Sequence, residues 1–461
     1  MADAFRTRTN VPRGEFAFEH QPVTEQSFEN ALAKARNGDR LTVEDAVALL
    51  TTGTDGDGID PERKAAVLRA ADDRRRDVVG DEVTFVANLN NNVTTACNTG
   101  CLFCNFRDSA HTFEAAHQAT ARGFTKTPAE SRDIVANAVD RGISEVTSVS
   151  GLHPALVLNE DHREHLDPDD PTHDYRPPEV YDVDPGTYVE QLRAMSVDGV
   201  HVHSMTPEEA HHAKRGTDWS YADVYRTLSA AGLDSAPGTA AEILVEEVRE
   251  VICPEKIGTE EWMAGLEGAA GAGLPVTATM MYGHVENERH RALHLEKVRE
   301  LQDRTGAVTE FVPLSFVHQN TPLAERGIVD GGATDAEDEL LTAVARLFLD
   351  NVEHVQTSWV KFGDEKSLNL LEAGADDFMG TILSEEITTR AGGDHGEFRS
   401  VADYVDLITS IDRVPVERST DYRRRRRVDP DDPNPGPVLG PRADGTPLIA
   451  TSGLEPSAAD D

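Results

Sequence analysis

Three of the four cysteines fall within eight residues, Cys97-Asn-Thr-Gly-Cys101-Leu-Phe-Cys104. Thiolates this close can converge on one metal centre, and soft sulfur selects zinc, copper(I) or iron–sulfur clusters. Zinc in a structural site completes four protein ligands, usually through a second Cys or His pair. No such pair lies at an obvious spacing: His111 is the nearest histidine, and Cys253 is far along the chain. A 4Fe-4S cluster held by three thiolates instead leaves one iron open to bind a substrate or cofactor. Gly100 lets the loop wrap closely around such a group. A zinc site and three packed core thiols stay as alternatives, and Cys253 reads as a buried structural thiol.

The loop is positioned by a regular rhythm of elements. Residues 1–80 read as a helical extension, with apolar spacing over Ala31–Ala35 and Val43–Leu50, Thr42 as an N-cap and Pro61 opening a further helix. From Val83–Leu89 onward short β-branched runs alternate with amphipathic stretches. Strands are expected at Glu145–Val149, Val200–His203, Leu233–Ala236, Pro275–Tyr282, Val308–Phe316, His354–Val360 and Asp377–Gly380. Helices are expected at Pro128–Arg141, Pro185–Met195, Pro207–Lys214, Tyr221–Ala231, Glu260–Ala272, Glu288–Asp303, Asp335–Leu349, Lys366–Ala373 and Val401–Ile411. These make eight β-then-α units, which predict an α/β fold of the (β/α)8 TIM-barrel type over residues 81–415, an open doubly wound sheet being the alternative. In such a barrel the cysteine loop sits on the C-terminal, catalytic face. An acidic insertion at 159–184, carrying His162 and His165, reads as solvated rather than metal-binding. Residues 416–461 hold the basic run Arg423–Arg427, which would screen the chain's own acidic surface, and then a Pro/Gly/Asp-rich tail expected to be disordered.

Over 461 residues, 83 acidic side chains against 44 basic ones give a net charge of −39. Such a surface repels phosphate backbones and excludes nucleic-acid binding by counterion release. Acid excess on this scale is tolerable where salt screens it, which points to a salt-adapted, halophilic protein. With no long apolar span, no secretory start and few cysteines, the expectation is no membrane partner and a reducing, cytoplasmic setting.

The cysteine spacing, with Phe103 before the last thiol, resembles the cluster motif of radical S-adenosylmethionine (SAM) enzymes. Further runs follow in order: Ser150-Gly151-Leu152-His153-Pro154, His201-Val202-His203, Ser235 to Leu244, Ile252-Cys253-Pro254-Glu255-Lys256, Thr277 to Glu286, and Thr309 to Leu314. Together they resemble the deazaflavin/menaquinone branch, and within it the CofH family of coenzyme F0 synthesis, over roughly residues 27–420. Ser150 departs from a glycine common at that position, as do Ser204–Pro207 and Asn105–Arg107 from the usual segments.

The resemblance implies a 4Fe-4S cluster on Cys97, Cys101 and Cys104 whose open iron chelates S-adenosylmethionine. It implies a transferase in which a 5′-deoxyadenosyl radical acts on L-tyrosine. The Cα–Cβ bond breaks, 2-iminoacetate leaves, and the 4-hydroxybenzyl fragment joins 5-amino-6-(D-ribitylamino)uracil. A CofG-type partner enzyme would close the ring, and a ferredoxin-like reductant would supply the electron. Ser150 and Gly151 would offer backbone groups to the methionine amine, and Glu242 would contact the ribose. His153, His203, Tyr282, His284 and Glu286 stand at or beyond strand ends, where barrel enzymes place acids and bases. A menaquinone-pathway enzyme of the aminofutalosine synthase type, and a non-catalytic iron–sulfur electron carrier, are the competing functions.

Overall fold

The computed structural model describes residues 23–51, 60–107, 123–139, 142–161, 183–382, 387–388, 392–393, 395–396, 398–429 and 455–456. His111, His162 and His165 lie outside these residues, as do most of the 159–184 insertion and of the C-terminal tail.

Three helices come first: α1 (Glu25–Asn37), α2 (Val43–Leu50) and α3 (Pro61–Val79). Thr24, Thr42 and Asp60 cap them by accepting from backbone N–H groups of the first turn. Gly38, at φ 72°, ends α1 in the left-handed conformation that glycine adopts without strain. Helix α2 packs on the outer helices α10 (Glu288–Thr305) and α12 (Asp335–Phe348), α3 packs on α12, and α1 packs on α2 and α3.

The expected alternation follows. One parallel sheet joins β2 (Asn88–Asn90), β3 (Glu145–Ser148) and β4 (His201–Ser204). A second joins β5 (Val276–Tyr282), β6 (Val308–Ser315) and β7 (His354–Val355). In a third, β1 (Glu82–Val86) lies between β8 (Asp377–Gly380) and β9 (Val414–Arg418), both parallel to it. Single-residue parallel bridges, His203 to Ser235, Ala236 to Val276 and Gln356 to Asp377, link one sheet to the next. Between them run α4 (Pro128–Val139), α5 (Tyr188–Met195), α6 (Pro207–Ala213), α7 (Tyr221–Ala230), α8 (Glu246–Ile252), α9 (Thr259–Gly271), α11 (Pro322–Glu325), α13 (Trp359–Glu372) and α14 (Val401–Thr409).

Three segments differ from the sequence reading. The Leu233–Ala236 strand shrinks to bridges at Ser235 and Ala236, because Pro237 has no N–H to extend a ladder. The His354–Val360 run pairs only at its start; Trp359 and Val360 already belong to α13, an ambiguity that short apolar runs carry. The arginine run forms β10 (Arg424–Arg427), antiparallel to β9, so the boundary expected at residue 416 falls inside a strand that pairs with β1.

This β9–β10 segment brings a buried polar network to the N-terminal ends of the parallel strands. Arg418 donates to Asp377 and Glu310, Tyr422 to Glu310, and Thr420 to Glu145 at 2.6 Å. Glu145 also accepts from Asn88 and Thr147, Asp377 from Thr84, and Glu310 from Gln356.

Candidate active site

The cysteine loop leaves the C-terminal end of β2 and is tied on several sides. Asn98 N–H donates to Leu152 O (3.2 Å), Leu102 N–H to Ile252 O (2.8 Å), and Leu323 N–H to Leu102 O (2.9 Å). Gly100 N–H donates to the Glu255 carboxylate, so close that a Cβ at Gly100 would stand 2.7 Å from Glu255 Oε2. All four cysteines are free thiols; Cys101 is buried, Cys97 and Cys104 partly so. Burial pushes the Cys97 thiol up, opposed by backbone hydrogen bonds from Leu152 and Thr99 and by Arg107. Burial pushes Cys101 well up, with Lys256 the largest opposing charge. Among the described residues no three His, Cys, Asp or Glu side chains are set to hold a single metal ion. A cubane asks for something else, one thiolate for each of three irons, and three neighbouring free thiols on one clamped loop fit that demand. Cys253 is buried, its thiol pushed up to about 12 by desolvation, as a structural thiol should be.

Ser150 and Gly151, just past β3, grip the segment that leads into Cys97. Ser150 Oγ accepts from Val93 N–H (2.6 Å), and Gly151 N–H donates to Thr94 O (2.9 Å). A Cβ on Gly151 would lie 2.4 Å from Ala96 O, so only glycine fits. Ser150 N–H donates to Glu209, whose carboxyl burial pushes up to about 7. Beside them Tyr188 OH and Gln191 Oε1 are buried without a hydrogen-bond partner and, with Ser148, Ser204 and Glu209, line a small cavity. His153 is buried; its Nδ1 accepts from Ala155 N–H, and its carbonyl faces His212 Nε2.

Strained backbone recurs near strand ends, with Asp412 and Tyr422 flanking β9 and five further residues elsewhere. Met205 (φ 64°), Ala240 (77°), Glu242 (47°), Met379 (71°) and Ile382 (42°) occupy the left-handed region without being glycine. Such strain persists only where the surroundings impose it, typically at functional sites. Glu242 is buried, and its Oε1 lies 2.6 Å from Lys256 Nζ.

The remaining candidates are held by different partners. Tyr282 OH donates to Asp338 of α12 at 2.6 Å, in the helix layer, and burial beside Asp338 pushes the phenol well above its usual range. Glu286 accepts from Gly283 N–H (2.6 Å), His284 N–H (2.9 Å) and Arg291 Nε (2.9 Å). Burial raises its pKa, but His284 and Arg291 outweigh burial and hold the carboxyl well below the usual range. His284 Nε2 lies 3.1 Å from Met281 O, and its Nδ1 2.9 Å from Glu286. His203 points to Ser235 Oγ (2.6 Å), as does His201 (2.7 Å), and burial lowers His203 to about 4 against the pull of Glu145. Sequence reasoning assigned no role to Lys256, Glu255, Glu209 or Tyr188; the Cys253–Lys256 run was the one visible signal among them.

Residues 91–298 match the radical SAM superfamily, and residues 305–429 match the CofH/MqnC C-terminal region. A 5-amino-6-(D-ribitylamino)uracil–L-tyrosine 4-hydroxyphenyl transferase of Halobacterium salinarum is 68% identical over 445 residues, 96% of this chain and 98% of the relative. A transferase of the same name from Haloarcula marismortui is 69% identical over 440 residues, 95% of this chain and 98% of the relative. Among solved structures, HydG, a maturase of the [FeFe]-hydrogenase, shares the fold with a TM-score of 0.58 at 14% identity, covering 90% of this chain and 79% of HydG.

Proposed function

Because the chain belongs to the radical SAM superfamily and, within it, to the family of 5-amino-6-(D-ribitylamino)uracil–L-tyrosine 4-hydroxyphenyl transferases, we propose that it carries out this transfer in coenzyme F0 synthesis. Its near-full-length likeness to the two haloarchaeal transferases carries the reading. L-tyrosine loses its side chain at the Cα–Cβ bond, 2-iminoacetate leaves, and the 4-hydroxybenzyl fragment joins the ribitylaminouracil. A CofG-type enzyme then closes the ring, and a ferredoxin-like protein in the cytoplasm supplies electrons.

Cys97, Cys101 and Cys104 would hold a 4Fe-4S cluster, in keeping with their free thiols on a clamped loop. With S-adenosylmethionine, that cluster would supply a 5′-deoxyadenosyl radical. The residues around it position and enclose. Ser150 and Gly151 fix the approach to Cys97, and Tyr188 and Gln191 line the small Ser148–Glu209 cavity beside them. Glu242 presents a carboxylate on strained backbone, suited to ribose hydroxyls. His153, whose Nδ1 accepts from Ala155 N–H, and His203, beside Ser235 Oγ, are the proton carriers in this reading. Tyr282, His284 and Glu286 shape the loop after β5 rather than transfer protons, because their polar atoms are already committed. In this reading the three parallel sheets and the bridges between them belong to one eight-stranded barrel, with the Arg418 network at its far end. Such an enclosure keeps water from a carbon radical and holds the reacting atoms in contact.

The test is anaerobic reconstitution in high salt, followed by dithionite, S-adenosylmethionine, L-tyrosine and the ribitylaminouracil, read by mass spectrometry. The expected products are 5′-deoxyadenosine and the hydroxybenzyl–uracil adduct, both lost in Cys101→Ala. Deoxyadenosine without adduct would overturn the substrate assignment.

A further inference from the structure

We infer that Lys256, anchored by Glu242, is a positioning residue that raises the reduction potential of the cluster on Cys97, Cys101 and Cys104. The inference rests on the cluster reading above. The chain has only eight lysines among its 461 residues, and this one is buried, with 8% of its side chain exposed. Its ammonium contacts Glu242 Oε1 at 2.6 Å and lies 5.5 Å from the ring centroid of Phe103, the residue before Cys104. Two clamps fix this geometry. The segment Ile252–Lys256 grips the cysteine loop through Ile252 O, which accepts from Leu102 N–H, and through Glu255, which accepts from Gly100 N–H. The segment that carries Lys256 is thereby tied to the cysteine loop, and Glu242 holds its ammonium on the Phe103 side of that loop.

The physical consequence concerns one electron. Reduction adds negative charge to a cluster already carrying three thiolates, so a fixed cation nearby stabilises the reduced form more than the oxidised one. Burial matters here because of salt. At 1 M ionic strength the Debye length is about 3 Å, so surface charges contribute little, whereas a buried charge is screened much less. In a chain with an excess of acids, which disfavour reduction, a lysine with 8% of its side chain exposed is a charge that salt leaves effective.

The experiment is an EPR-monitored redox titration of the reconstituted holoenzyme in molar KCl without S-adenosylmethionine, alongside iron content and circular dichroism. Lys256→Gln should shift the midpoint to lower potential, with about a tenfold lower reduced-to-oxidised ratio at a fixed potential, which is 59 mV for one electron. Lys256→Arg, which keeps the charge, should titrate with the parent. If Lys256→Gln fails to hold iron, Glu242→Gln, which keeps the cation and removes its counter-charge, should shift the midpoint upward. A full-iron Lys256→Gln with the parent midpoint, or Glu242→Gln moving downward, overturns the inference. Parent protein that shows no low-potential cluster signal overturns the cluster reading itself.

Discussion

Tyr282 tests whether a residue at a strand end serves chemistry or architecture. Its hydroxyl donates to Asp338 Oδ1 at 2.6 Å, the pair is fully buried, and Lys366 also contacts that carboxylate. Tyr282→Phe keeps the ring, which lies under the Arg291 guanidinium, and removes only the donor. A hydrogen bond to a charged group contributes about 1.5–3 kcal/mol, and Asp338 would keep its contacts with Lys366 and Ser315. Unfolding entropy near 2.1 cal/mol/K per residue over roughly 400 folded residues amounts to ~0.8 kcal/mol/K. The expected fall in melting temperature is therefore about 2–4 °C. Turnover, measured as adduct formed per cluster, should stay within about threefold of the parent, since a transition-state role would cost far more. Thermal scans in high salt and a mass-spectrometric rate assay read the two quantities separately. A variant that melts with the parent but loses about a hundredfold in turnover would refute the reasoning and return Tyr282 to the catalytic set.

Three further outcomes follow from the same geometry. Gly151→Ala drives a Cβ to within 2.4 Å of Ala96 O, next to Cys97, so overpacking of about 1–3 kcal/mol and a drop in iron per chain are expected; full iron loading with unchanged melting would contradict the account. Dilution from molar salt to about 0.15 M lengthens the Debye length from about 3 to 8 Å and should unfold a chain of net charge −39, seen as loss of the far-ultraviolet helical signal; a signal indifferent to salt would count against salt adaptation. Glu286 and Asp376 are both held below their ordinary values despite burial, Glu286 by His284 and Arg291, Asp376 by Arg346 and His354. The unfolded chain thus takes up protons first: their stabilisation is complete above about pH 4.5 and is lost as pH falls toward the folded values. Urea titrations at descending pH should show this decline, with a shallower slope in Glu286→Gln; equal slopes would exclude Glu286 as a source.

The cysteine loop was legible because its information is local: three thiols and a glycine within eight residues need no partner to be recognised. The βα rhythm was legible for the same reason, and it failed where one run suits two states. His354–Val360 is apolar enough for a strand, yet pairing stops after the first residues and Trp359 turns its indole N–H to Gly380 O from within α13. What stayed hidden depends on distant partners. Nothing in Thr277–Glu286 indicates that Tyr282 will meet Asp338 or that Arg291 will saturate Glu286, so strand-end position alone made them look like acids and bases. Lys256 was hidden too, because its meaning comes from Glu242 and from a loop some 150 residues earlier.

The arginine run shows how far a charge pattern can carry. In sequence it is a basic block set against acid excess; in the fold Arg425 reaches His354, Arg426 pairs with Glu417 and Arg427 with Glu82, so the screening is specific. Arg418, one strand earlier, goes further and buries its charge between Asp377 and Glu310. Buried ion pairs are poor sources of net stability, since desolvation offsets most of their attraction. Their value lies in what they forbid: any slip of β9 along β1 would strand a buried guanidinium between two carboxylates without hydrogen bonds. The N-terminal ends of the strands are thereby fixed in register. The opposite ends, where Met205, Ala240 and Glu242 hold left-handed backbone, can then keep it without the sheet slipping to relieve it.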